Sequence, residues 1–151
     1  MKATFAAGCF WHVEDLLSKT KGVKSTQVGY IGGQLPNPTY EKVCTDKTGH
    51  AEAVEVEYNS DEISYETLLD VFWNNHNPTT LNRQGHDVGI QYRSVIFYHN
   101  DEQKEIAEKS KQKLDKSGQY DRPVVTEIVS TPIFYKAEEY HQKYFEKHGF
   151  S

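Results

Sequence analysis

Two hydrophobic periods alternate along the 151 residues, and the order in which they alternate leaves few folds open. Thr4 to Gly8 reads as a short strand of small residues, and after it Phe10, Val13 and Leu17 recur at helical spacing until Gly22 ends the pattern. Val23 to Tyr30 is β-prone. Ala53 to Tyr58 alternates as a strand, and Ser64 can cap a helix whose Leu68, Leu69, Phe72 and Trp73 form one apolar stripe. Ser94 to Tyr98 is a further strand. Asn100 followed by Gln103 resembles a capping box for a helix carrying Ile106, Ala107 and Leu114, which Gly118 stops. The order β-α-β-β-α-β is that of the split βαβ, ferredoxin-like arrangement, in which helices cover one face of a mixed sheet. Beyond it Val124 to Ser130 is strand-like, and a last helix is expected near Lys136 to Lys147 with Tyr140, Tyr144 and Phe145 on one side.

No repeat, linker or low-complexity run divides the chain, so one domain over residues 1–151 is expected. Ten Tyr, seven Phe and two Trp spread along the length exclude a disordered chain. No window approaches the roughly 18 consecutive apolar residues of a membrane span. A net charge of -5 argues against nucleic acid or an anionic membrane as partner, because nothing basic accumulates to neutralise phosphates. Lys104 to Lys116 is interleaved with Glu and reads as a solvated helix face. Two cysteines, Cys9 and Cys44, cannot make a disulfide framework, which fits a reducing, cytoplasmic compartment. Ala6-Ala7-Gly8-Cys9 superficially resembles a lipoprotein cleavage site. Too few residues precede it for a charged segment and the roughly 7–15 apolar residues of a signal peptide, so no leader is expected.

The candidate chemistry gathers around that cysteine and two long irregular stretches, Gly32 to Gly49 and Asn74 to Gln91, since loops of such length are often functional. Cys9 follows a strand and opens a helix, where unpaired N–H groups and the helix dipole favour a thiolate. A buried structural thiol is the alternative. Phe10 and Trp11 lie about 100° apart on the helix and cannot both enter one core groove, so one or both are candidates to wall an apolar pocket beside Cys9. Glu52 falls on the same strand face as Val54, Val56 and Tyr58. Buried there, it would be kept protonated by desolvation and act as a general acid; as a strand-end residue it would turn to solvent. Tyr40 and Tyr92 could supply O–H donors, and Asp87 could orient one or stabilise a turn.

Other chemistries use the same residues. Cys9-x-x-His12 with Cys44 and His50 could ligate zinc, although no Cys-x-x-Cys pair is present and no metal is expected. Cys9 with His50 or His86 could form a hydrolase dyad. A binding module would need no nucleophile.

Gly8-Cys9-Phe10-Trp11, Tyr40 to Thr45 running into Thr48-Gly49-His50-Ala51-Glu52, Asp87 to Ser94 and Ala137 to Gln142 together resemble the A-type, S-epimer-specific peptide methionine sulfoxide reductases over nearly the whole chain. The resemblance implies an α/β two-layer sandwich with long loops, Cys9 as nucleophile, Phe10 and Trp11 around the substrate methyl, and Glu52, Tyr40 and Tyr92 at the sulfoxide oxygen, supported by Asp87. It implies repair of oxidised proteins or peptides containing methionine sulfoxide under oxidative stress, through a Cys9 sulfenic acid and without a bound cofactor. Many family members carry recycling cysteines in a C-terminal tail, and these residues include none beyond Cys44. A one-cysteine cycle is therefore expected, recycled by an external thiol reductant: thioredoxin, glutaredoxin or a small thiol.

Overall fold

The computed structural model describes residues 1–148. In chain order it contains β1 (Lys2–Ala7), α1 (Phe10–Ser18), β2 (Val23–Ile31), α2 (Tyr40–Val43), β3 (Ala51–Tyr58), α3 (Tyr65–Asn74), β4 (Arg83–Gln84), β5 (Asp87–Val88), β6 (Ser94–Tyr98), α4 (Asp101–Lys116), β7 (Glu127–Ser130), β8 (Tyr135–Lys136) and α5 (Tyr144–Lys147). The main sheet runs β7-β6-β1-β3-β2-β8, and β4 and β5 form a separate hairpin. β6, β1, β3 and β2 pair antiparallel, which is the split βαβ core expected from the element order; parallel β7 and antiparallel β8 extend it at the two edges.

The strands bury both faces unequally. Ala3, Phe5, Val54 and Val56 join Leu17 of α1, Leu68, Leu69 and Phe72 of α3 and Ala107 of α4 in the main core. Ala6, Ile31, Ala51, Ala53, Val95 and Phe97 face the other way, with Phe134 against them. Period-two alternation thus assigns each strand residue to a face, and the helices all lie on one side. Ser64 caps α3 by accepting the Thr67 N–H, and Asn100 caps α4 by accepting the Gln103 N–H. Gln103 reaches back one residue further than a capping box does, to the N–H of His99 at 2.9 Å.

The continuous helix expected near Lys136 to Lys147 does not form. The segment is a strand, a 3-10 turn (Glu139–His141) and the single turn α5. Its backbone is captured by distant polar partners. β8 pairs with β2, the Gln142 amide bonds both the N–H and C=O of Val28, and the N–H of Lys143, at φ 53, is donated to the buried Glu14 carboxylate at 2.5 Å. Val124 and Val125 also leave the expected strand, because their N–H groups go to Asp115 and Pro78.

Candidate active site

Gly8 turns β1 into α1. Its φ of +82 suits glycine, and a Cβ there would lie 2.8 Å from Cβ of Gln84 in the hairpin. The turn leaves Cys9 half-buried in the N-cap position of α1. Helix N–H groups of Trp11 and His12 favour its charged form, yet burial, followed by the negative fields of Glu52 and Asp87, pushes the thiol up to about 12. The local advantage of a helix start is overridden, and Cys9 rests as a thiol.

Glu52, 1% exposed, sits on β3 opposite Tyr30. Oε1 accepts the Phe10 N–H at 3.2 Å, and Oε2 is buried with no partner among the described residues. Burial raises its pKa to about 8, with Asp87 adding to the rise and the Phe10 N–H opposing it. A carboxyl group that holds its proton at neutral pH, with one oxygen unengaged, is a hydrogen-bond donor waiting for an acceptor.

The two long loops close around this pair. Thr39 caps α2 and so presents Tyr40, whose hydroxyl lies beside Cys44. Asp46 accepts the Ile90 N–H at 2.5 Å, tying the first loop to the 3-10 turn Ile90–Tyr92. Burial raises the Tyr40 and Tyr92 phenols, and both feel the Glu52 charge, so each stays an O–H donor. Asp87 is on the exposed hairpin strand β5, and its field reaches Cys9, Glu52 and Tyr92. Phe10 is buried against Tyr30 and His141. Trp11 remains half-buried, stacked on Tyr144 at 3.8 Å and 7°, and its Nε1–H donates to Nδ1 of His141 at 3.0 Å.

Hydrophobic periodicity reads His141 and Glu138 only as polar positions of a helix and assigns them no role. Glu138 accepts the Tyr30 hydroxyl at 2.8 Å and the Tyr40 N–H at 3.0 Å. His141, 1% exposed, packs on the rings of Phe10, Trp11 and Tyr40. Burial holds it below the ordinary imidazole pKa, consistent with a neutral ring that accepts from Trp11.

The zinc and hydrolase readings both lose His50. Nδ1 of His50 accepts the Gly33 N–H at 3.0 Å, and Nε2 faces the Leu35 carbonyl at 2.7 Å, so neither nitrogen is free for a metal or a thiol. Among the described residues no three His, Cys, Asp or Glu side chains form a metal-binding group. The assembled site offers a soft nucleophile, a carboxylic acid, two phenols and an aromatic wall. It can attack an electrophilic atom that carries oxygen while protonating that oxygen.

A family model described as "Peptide methionine sulfoxide reductase" matches residues 1–150. A Methanosarcina mazei protein named peptide methionine sulfoxide reductase MsrA is 63% identical over 149 residues, which are 99% of this chain and 71% of that protein. The crystal structure of Mxr1 from Saccharomyces cerevisiae in reduced form superposes with a TM-score of 0.90 at 36% identity, covering 100% of this chain and 87% of that one. Mxr1 in complex with Trx2 superposes with a TM-score of 0.65 at 28% identity, covering 95% and 84%.

Proposed function

The chain belongs to the peptide methionine sulfoxide reductase family, an oxidoreductase of the A type that reduces methionine sulfoxide, and from that premise we propose that Cys9 and Glu52 carry the reaction. The observation that supports this most is the raised, half-unpartnered Glu52 carboxyl beside the thiol. The methyl of the S-sulfoxide rests against Phe10 and Trp11, and its oxygen accepts from Glu52, Tyr40 and Tyr92.

Cys9 sulfur attacks the sulfoxide sulfur as Glu52 gives its proton to the oxygen. The sulfur–oxygen bond breaks, the oxygen ends on Cys9 as a sulfenic acid bearing the proton the thiol brought, and methionine leaves. Two electrons pass from Cys9 to the substrate sulfur, and Glu52 regains its proton. Two external thiols then reduce the sulfenic acid, forming their disulfide and one water and restoring the Cys9 thiol. A thioredoxin is a reasonable donor, because the yeast relative has been crystallised with Trx2; glutaredoxin and small thiols share the chemistry. Cys44 is exposed, and its neighbour is Tyr40, which suits a bystander rather than a resolving role. Peptide-bound and free methionine sulfoxide both fit, because the reacting residues act on the sulfoxide end. The protein repairs oxidised proteins in the cytoplasm.

The test is epimer-resolved reduction of blocked methionine sulfoxide with dithiothreitol, comparing wild type with Cys9→Ser. Cys9-dependent loss of the S epimer alone is expected, with Cys9 one oxygen heavier by mass spectrometry after one equivalent of substrate. Turnover by Cys9→Ser, or a Cys9–Cys44 disulfide formed at the catalytic rate, overturns the assignment.

A further inference from the structure

A groove of about 340 Å3 opens beside Cys9 between α1 and α3. Its walls are Val13, Leu16 and Leu17 on one side and Val71 and Phe72 on the other, and none of Phe10, Trp11, Tyr40 or Glu52 reaches it. Cys9 therefore borders both the aromatic cluster and a second compartment, which shares only Cys9 and Asp87 with the reacting site.

Three of the groove's polar neighbours are committed to the chain. His76 faces the Phe72 carbonyl through Nδ1 and the Ser94 hydroxyl through Nε2. The Gln84 side chain bonds both the N–H and C=O of Asn77, and Asn75 donates to the Val71 carbonyl. What remains is mostly aliphatic and aromatic, with the exposed His12 ring and the Asp87 carboxylate also lining the space. Such walls favour an uncharged apolar occupant and repel an acidic one.

The substrate itself extends into this space. When a methionine sulfoxide is seated with its sulfur at Cys9, an extended peptide places the side chains two positions away on the same face, about 6.6–7 Å along the chain. A groove of about 340 Å3 bordering Cys9 has room for one such side chain.

We propose that the groove between α1 and α3 is a substrate subsite that takes an apolar side chain two residues from the methionine sulfoxide. The inference rests on Cys9 being the attacking sulfur. It makes the enzyme selective among oxidised methionines, favouring those with Leu, Ile, Val or Phe at that spacing.

The experiment measures kcat/KM with dithiothreitol for blocked pentapeptides centred on methionine S-sulfoxide, with Leu, Ala or Glu at both outer positions and Ala elsewhere. Leu is expected to exceed Ala by about tenfold, with Glu below Ala. Moving Leu next to the sulfoxide should lose the gain. Leu16→Glu and the near-isosteric Val71→Thr should each bring the Leu-to-Ala ratio toward one. Equal values for Leu and Ala, a preference only for the adjacent position, or a ratio kept in both variants overturns the subsite. So does a Leu preference that appears only when thioredoxin replaces dithiothreitol. Peptide reduction that survives Cys9→Ser instead overturns the Cys9 reading, which keeps the two failures apart.

Discussion

The backbone N–H of Phe10 donates to Oε1 of Glu52 at 3.2 Å, and this one bond fixes the carboxyl so that its other oxygen, buried and unpartnered, is the donor left for substrate. Phe10 is the first residue of α1, so the helix start that places Cys9 also orients the acid. Burial raises the Glu52 carboxyl to about 8 and the Cys9 thiol to about 12, and the order of these values sets the pH profile. At neutral pH the pair carries two protons, and the reacting form, thiolate with acid, carries one.

The sign is therefore a rise. kcat/KM for blocked methionine sulfoxide should increase with pH to about 8 and then level, because beyond that point each thiolate gained is matched by an acid lost. Glu52→Gln should lower the rate about a hundredfold or more, since an amide donates a hydrogen bond without delivering a proton. Its profile should show no break near 8 and keep climbing; steady-state rates between pH 6 and about 10 read this directly.

Asp87 adds negative field at Cys9 from the exposed hairpin. Asp87→Asn should lower the thiol pKa and speed iodoacetamide capture of Cys9 at pH 8 by about two- to threefold, a modest factor because the charge is solvated. Peptide mapping separates Cys9 from the exposed Cys44.

Trp11 is held between Tyr144 and the His141 nitrogen. Trp11→Ala should raise KM for methionine sulfoxide about tenfold, with a smaller change in kcat, as expected when a wall of the methyl site is lost and the reacting pair stays in place. A drop in kcat alone would instead assign Trp11 to the chemical step.

Glu14 is buried in α1, accepts the Thr26 hydroxyl at 2.9 Å and holds the Lys143 N–H. Glu14→Ala strands that N–H and should cost about 2–4 kcal/mol in urea unfolding. Limited proteolysis should then cut first after residue 136, where the segment carrying His141 loses its anchor.

Much of this site is legible along the chain because two of its parts are local. Period-two alternation puts Glu52 on the apolar face of β3, and a strand-glycine-helix junction exposes Cys9 at a helix start; both placements hold in the structure. The expected element order likewise survives as the antiparallel core β6-β1-β3-β2. The segment from Tyr135 to Lys147 is not legible in this way. Hydrophobic periodicity reports only which face is apolar, whereas this stretch is shaped by single polar bonds to Val28, Tyr30, Tyr40 and Glu14, at least 98 residues away in sequence.

The ionisation of Cys9 divides along the same line. Its position was determined by the sequence, because Gly8 and the helical spacing of Phe10, Val13 and Leu17 are properties of neighbouring residues. Its state was decided by tertiary structure alone. Folding brings the thiol out of water and into the field of Glu52 and Asp87, and desolvation with like charge outweighs the few N–H dipoles that the helix start supplies.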